Sequence, residues 1–266
     1  FANPPRNWET LVNNTVPTIV RRDVQRRISV SPIALGHYDN VSNAYSVLSM
    51  LLLQGGSQMV KESSGTYQVD LNRSKSGTGN PLTSSLQFFL QFGDSGNTLY
   101  SWSRTKQPDR DEFLSGKLAL YFGQGSEYDT LRRQNPNLNF DVTEVPQPDT
   151  ASTKRTYADV YGIGILRTSD NQNGAYTILQ TLTNGKNALG IASSLGMAPP
   201  HRNTIGAGNP APAMQAIYDS ALLARGWLNP DGSEELFRQT VSDLQAGRDQ
   251  LSRAVSDFMF RIKELY

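Results

Sequence analysis

Between residues 113 and 126 the chain reads FLSGKLALYFGQGS: the end of a helical pattern, a glycine stop, a short apolar strand and a Gly-x-Gly-Ser turn. The next residues, SEYDTLRRQNP, have the pattern of another helix. Ser126 stands where an N-cap is expected, two acids occupy the first turn, and Pro136 closes the segment. Helix, strand, glycine turn and helix in direct succession leave few architectures open. A strand flanked by helices buries its faces in an α/β arrangement.

The rest of the chain repeats that grammar. Asn7 follows two prolines and precedes Trp8 and Leu11 at one-face spacing, so a short helix is predicted there. RISVSPIALG at 27–36 is β-branched and apolar and ends on Gly36. Ala44, Val47, Leu48, Leu51 and Leu52 then follow at helical spacing before Gly55-Gly56, which predicts a strand, a loop and a buried helix. Residues 61–80 are polar and glycine-rich around one strand-like piece and read as an exposed ribbon or loop. Helices are predicted at 83–91 and at 108–116, the latter with Gly116 just past its end. Strands are predicted at 117–123, at 139–148 and at 159–166, where Gly162 and Gly164 interrupt the apolar run. Further helices are predicted at 174–189 and 213–224, with a proline-rich loop between them, and two amphipathic helices end the chain.

Composition removes several classes of function. With 25 basic and 24 acidic residues the formal charge is +1, so neither nucleic acid nor an anionic membrane is favoured as a partner. The absence of cysteine excludes disulfides, thiolate nucleophiles and cysteine metal sites. The longest apolar run, VLSMLLL at 47–53, is far short of the ~20 residues that span a bilayer. The chain begins at Phe1 without an initiator Met or a signal-like run, so any targeting segment is expected to have been removed or left out.

Chemistry-bearing motifs are sparse. His37 and His201 lie in predicted loops with no nucleophile or metal-ligand spacing beside them, and a solvated loop explains each better than a catalytic base. Asp109, Asp111 and Glu112 open a predicted helix, where the helix dipole accounts for acids, and a solvated helix start is expected. The GQGS turn could offer backbone N–H groups to a ligand, and an ordinary strand-to-helix turn explains it equally well. The triplets NNT, NVS and NRS match a glycosylation acceptor pattern that matters only in a eukaryotic secretory setting. No catalytic, metal or cofactor motif emerges. More suggestive are aromatic and amide residues beside glycine turns, among them Tyr38, Asn40, Asn43, Tyr45, Tyr157 and Trp227. Aromatic faces stack on sugar-like rings and amides satisfy hydroxyls, although Trp8 and Trp102 read as core residues.

Seven segments in co-linear order then carry a resemblance: PPRNWETL; IALG with DNVSNAY and LLLQGG; DEFLSGKLALYFGQGS; NPNLNFDVTEVPQP; YGIGILRTSDNQNGAYTILQTL; GMAPPHRN; and ARGWLNPDGSEELFRQTVSDLQAG. Together they cover nearly the whole chain. The sequence resembles the extracellular solute-binding proteins of ABC transporters, family 1, the maltose-binding group. The resemblance implies an α/β fold of the periplasmic-binding-protein class II type, with two α/β lobes joined by a hinge. Residues 1–145 and 206–266 would form the second lobe and 146–205 the return segment of the first, whose N-terminal part precedes the PPxxWxxL motif in relatives. A return segment without those strands is expected to expose apolar edges.

The implied function is non-enzymatic: capture of a solute, expected to be a carbohydrate, between the lobes and delivery to an ABC permease outside the cytoplasm. The implied partners are therefore the solute, the permease and an N-terminal-lobe polypeptide, with lipid anchoring an open alternative and no cofactor. The ligand contacts it implies are Asn40, Asn43, Tyr45, Tyr121, Gln124, Ser126, Tyr161 and Trp227. Ser126 stands where maltose-binding relatives carry a stacking Trp, so Tyr121 or Tyr128 would have to supply that face. An interaction module without transport ligand, and a hydrolase on the same scaffold, are the alternatives that the residues leave open.

Overall fold

Residues 27–36 form the strand that their β-branched run predicts, Ile28–Ile33, and it organises what surrounds it. On one side it pairs antiparallel with Arg21–Arg22; on the other it runs parallel to Leu118–Leu120, with Ser31 opposite Leu118 and Ile33 opposite Leu120. The strand inside FLSGKLALYFGQGS is therefore the edge of a small mixed sheet. The structure, a computed structural model, describes residues 4–74, 79–205 and 210–266. It divides into two units: Phe1–Phe122 with Val145–Tyr157 and Arg225–Tyr266, and Gly123–Glu144 with Ala158–Ala224.

In the first unit the apolar helix Ala44–Gln54 is buried on nearly every side, as its continuous AYSVLSMLLL demands. Leu48 and Leu52 are fully enclosed, together with Leu82, Leu86 and Phe89 of helix Pro81–Leu90. The two C-terminal helices, Ser233–Gln245 and Leu251–Glu264, are amphipathic and join through Phe237 and Phe258, whose ring centroids lie 4.6 Å apart. The polar ribbon is a hairpin of Ser57–Ser63 and Thr66–Ser74, and the remainder of the expected loop, 75–78, lies outside the described residues. One crossing requires glycine. Gly36 has φ +99°, and a Cβ built on it would sit 2.2 Å from the backbone nitrogen of Gly93.

The chain start follows its cap. Asn7 accepts from the Thr10 amide at 2.7 Å and opens Trp8–Thr10, which continues through a π-turn, Leu11–Thr15, into Val16–Ile19. Trp8 donates from Nε1 to Gln54 Oε1 at 2.6 Å, and Gln54 Nε2 in turn donates to the carbonyls of Pro146 and Arg155. Gln147 adds a second clamp on Arg155 and exchanges backbone hydrogen bonds with Arg6 and Trp8. Residues 145–157, which these amides hold, belong to the first unit. The strand expected at 139–148 is not formed. Gln147 makes a single isolated bridge with Asn7, and the backbone around it is held by side chains.

The second unit is mainly helical: Tyr128–Gln134, Gln172–Thr183, Gly185–Ser194, Arg202–Ile205 and Pro212–Leu223. The single helix expected at 174–189 is two helices, because Asn184 leaves helical geometry at ψ 152° and caps the second by accepting from Asn187. Its buried residues are mostly small, with Ala188, Ala192 and Ala213 beside Leu131 and Tyr218. The GQGS turn finds its reason here: a Cβ on Gly125 would meet Ile217 at 2.8 Å, and Gly196 lies against the Ser126 backbone. The cap is Gln124, not Ser126. Gln124 and Glu127 form a reciprocal capping box, with Gln124 N donating to Glu127 Oε2 at 2.7 Å. Residues 159–166, expected as a strand, form no strand among the described residues.

Candidate functional site

Most of the aromatic candidates belong to the first unit, where helix Ala44–Gln54 begins. Tyr45 stacks on Trp227 with centroids 6.2 Å apart and planes 23° from parallel, and meets Tyr157 and Phe237 edge-on at 6.0 Å and 5.6 Å. Trp227 donates from its indole to Ser49 Oγ at 3.2 Å. Each of Tyr45 and Trp227 keeps only 9% of its surface exposed, so the pair offers an edge to solvent and spends its faces on packing. Burial, followed by the neighbouring Tyr157, pushes the Tyr45 phenol far above its ordinary range, and its hydroxyl near Ser49 lacks a well-formed hydrogen bond. An alanine at either position would therefore leave a cavity, and a ligand effect could not be separated from a fold effect.

Beside that cluster, Asn43 ends the turn that precedes the helix. Its Nδ2 donates to Phe122 O at 2.9 Å and to Tyr121 Oη at 3.2 Å, and the Tyr121 ring stacks on Phe113 at 5.4 Å. Asn43 and Tyr121 are both half-buried, which keeps them within reach of solvent. Asn40 is otherwise engaged. Its amide donates to the carbonyls of Ser103 and Lys106 and accepts from Trp102 Nε1 at 2.9 Å, so both donors are spent inside the protein.

The second unit carries the other three candidates. Gln124 and Ser126 share the capped turn described above, with Ser126 exposed, and Tyr161 projects into solvent from the irregular segment 159–166. The expectation of a solvated acidic helix start holds for the exposed Asp111 and is overturned for Asp109 and Glu112. Asp109 is 1% exposed and accepts from Ser42 N and Oγ, while Glu112 forms a buried ion pair with Lys106 at 2.7 Å, over the ring of Trp102. These acids lock the loop before the helix. His37 is half-buried, with its pKa lowered by burial first and then by Arg104; His201 contacts the Thr183 carbonyl. Among the described residues, no group of three or more acids or histidines is placed to hold a metal ion. A groove of ≈ 450 Å³, lined by residues that include Asn80, Thr83, Leu251 and Met259, contains none of the candidates.

The sequence named Tyr157 among its suggestive aromatics but not among the ligand contacts, and it left out two participants: Phe237 read as a core residue of an amphipathic helix, and Ser49 is one small residue in an apolar run. No local pattern marks their convergence.

The model of a family described as bacterial extracellular solute-binding protein matches residues 1–213. No curated protein matches the sequence. Among solved structures, a cyclo/maltodextrin-binding protein complexed with maltotetraose superposes with TM-score 0.73 at 16% identity, over 99% of this chain and 65% of its own. A Thermus thermophilus maltotriose-binding protein bound with maltotriose gives 0.67 at 15%, over 99% and 67%. The maltose-maltodextrin-binding protein of Alicyclobacillus acidocaldarius gives 0.67 at 15%, over 98% and 66%. The chain thus spans about two thirds of the length of these structures and shares their α/β, periplasmic-binding-protein fold.

Proposed function

The chain belongs to the bacterial extracellular solute-binding protein family, and from that premise we propose that it captures a carbohydrate outside the cytoplasm and delivers it to an ABC permease, without catalysing a reaction. The observation that carries this reading is the aromatic group of Tyr45, Tyr157 and Trp227 beside the half-buried Asn43 and Tyr121. Amide and phenol groups at the border of an apolar aromatic cluster are chemistry that can satisfy the hydroxyls of a neutral sugar. The near-neutral charge of +1 suits an uncharged solute. No described helix is long and apolar enough to cross a membrane, so contact with a permease would be made through the protein surface.

In this reading Asn43, Tyr121, Gln124, Ser126 and Tyr161 contribute polar or ring contacts, and Tyr45 and Trp227 form an aromatic border. Asn40 acts through the loop that it holds. Residues 1–145 and 206–266 are assigned to the second lobe, and residues 146–205 to the return segment of the first. Calorimetric titration of Tyr121→Ala and Asn43→Ala with the best-bound sugar tests the site. The expected result is a loss of at least about tenfold in affinity for each with the fold intact, in keeping with the loss of one or two ligand contacts. Unchanged affinity in both variants would remove these residues from the site.

A further inference from the structure

Away from the candidate site, one stretch of the first unit departs from the even charge of the chain. Residues 16–36 contain four arginines, Arg21, Arg22, Arg26 and Arg27, against a single acid, Asp23. They carry a formal +3 within a chain whose total is +1, which leaves −2 over the rest. A total near zero therefore conceals a local excess, and beyond a Debye length only local charge is felt by an approaching surface.

The fold displays this excess on the turn of a short hairpin. Arg21 pairs with Val30 and Arg22 with Ile28, and residues 23–27 connect the two strands. Asp23 builds the turn: its Oδ1 accepts from Gln25 N at 2.9 Å and from Arg27 N at 2.8 Å, and its Oδ2 from Arg27 Nε at 2.8 Å. Arg22 anchors the base, donating to the Tyr100 carbonyl at 2.8 Å with its guanidinium 5.2 Å from the centre of the Tyr100 ring. The turn itself is open to solvent. Val24 is 93% exposed, and the exposed Arg26 side chain makes no hydrogen bond or ion pair among the described residues. Arg26 also holds φ +63°, a conformation that glycine adopts without strain and arginine does not. Charges on an edge strand discourage unwanted pairing, which is reason enough for Arg21 and Arg22. That need does not extend to Val24 and Arg26, which lie past the end of the strand. An apolar side chain at the apex among cations, and an arginine kept where glycine would be less strained, point to a contact outside the chain.

We propose that the turn at 23–27 docks the protein on an anionic phospholipid surface, with Arg21, Arg26 and Arg27 on headgroup phosphates and Val24 entering between the headgroups. Guanidinium groups match phosphate oxygens in charge and geometry, and an exposed apolar side chain flanked by cations is the pattern of an interfacial anchor. The apolar apex favours a lipid boundary, which accepts it without a shaped pocket, over an acidic polypeptide. Attachment of this kind is weak, since each arginine near an anionic surface strengthens binding only about fivefold. It raises the concentration of the protein at the membrane without fixing it there. The inference goes beyond solute capture: it rests on the extracytoplasmic location proposed above and not on the identity of the solute.

The test is co-sedimentation of the full-length gene product, without sugar, with vesicles of phosphatidylcholine alone and of phosphatidylcholine mixed with phosphatidylglycerol. The expected result is partition at least about tenfold stronger onto the mixed vesicles at low salt, a difference lost at about 0.5 M salt. Arg26→Gly should lower that partition about fivefold while its Tm stays unchanged or rises, so that the loss is not one of folding. Arg26→Lys should retain the partition, and Val24→Ser should lower it at least about twofold. Equal partition onto both kinds of vesicle, or Arg26→Gly or Val24→Ser bound as tightly as the parent, would overturn the proposal. Retention on immobilised poly-glutamate with equal partition onto both vesicles would overturn it in favour of an acidic protein partner. Any lipid anchor acts on both kinds of vesicle alike and cancels in the comparison. Because no sugar is present, failure here is separate from failure of the carbohydrate reading.

Discussion

At the scale of single residues, His37 and Gly36 each carry a testable contribution to the fold. His37 is half-buried between Arg104 and Asp39, and burial is the first cause of its lowered pKa. The unfolded chain therefore takes up the proton more readily, near the ordinary value of 6.5, than the folded one. The stability associated with neutral His37 is present above that value and is lost as pH falls toward the depressed folded pKa. Thermal scans should show a fall in Tm from pH 7.5 to pH 5 that is smaller in His37→Gln; an identical pH dependence in both proteins would contradict this. Gly36→Ala places a Cβ 2.2 Å from Gly93 N in a backbone with φ +99°, and should cost about 3 kcal/mol or more in chemical denaturation. Tyr45→Phe removes a buried hydroxyl with no well-formed hydrogen bond, so its stability should lie within about 1 kcal/mol of the parent. A lowered sugar affinity in that variant would place the hydroxyl on the ligand.

At the scale of elements, what could be read from sequence and what could not divide along physical lines. Helix Ala44–Gln54, the strands Ile28–Ile33 and Leu118–Leu120 and the two C-terminal helices were legible because periodicity and glycine stops are local signals. The strand expected at 139–148 is not formed: Gln147 makes one isolated bridge with Asn7, and the Pro146 carbonyl is taken by the amide of Gln54, 92 residues away in sequence. The same cause hid the role of the acids. Asp109 and Glu112 open a helix as the dipole predicts, but their burial depends on Ser42 and Lys106, which no spacing rule connects. Glu112→Gln would strand a buried Lys106 cation beside Trp102, with an expected loss of about 3–5 kcal/mol. The companion Lys106→Met with Glu112→Leu should recover much of that loss in urea denaturation. A single variant as stable as the parent would mean that the pair contributes nothing.

At the scale of the whole molecule, the order of motifs carried further than any one of them. Seven degenerate segments pointed to an α/β solute-binding fold, and both the family match over residues 1–213 and the superposition on maltodextrin-binding structures agree with it. The candidate site was less legible. Asn43 with Tyr121, and Tyr45 with Trp227, do come together, whereas the Asn40 amide is spent on a loop and the aromatic faces are spent on one another. Solute capture is the claim on which the rest depends, and calorimetric titration of the full-length gene product with neutral sugars, maltotriose and maltotetraose among them, tests it most directly. The account predicts saturable heat with at least one sugar, accompanied by a stability gain of about 2.7 kcal/mol when the free sugar is at 100 times its Kd. No heat and no thermal shift with any sugar at millimolar concentration would contradict it.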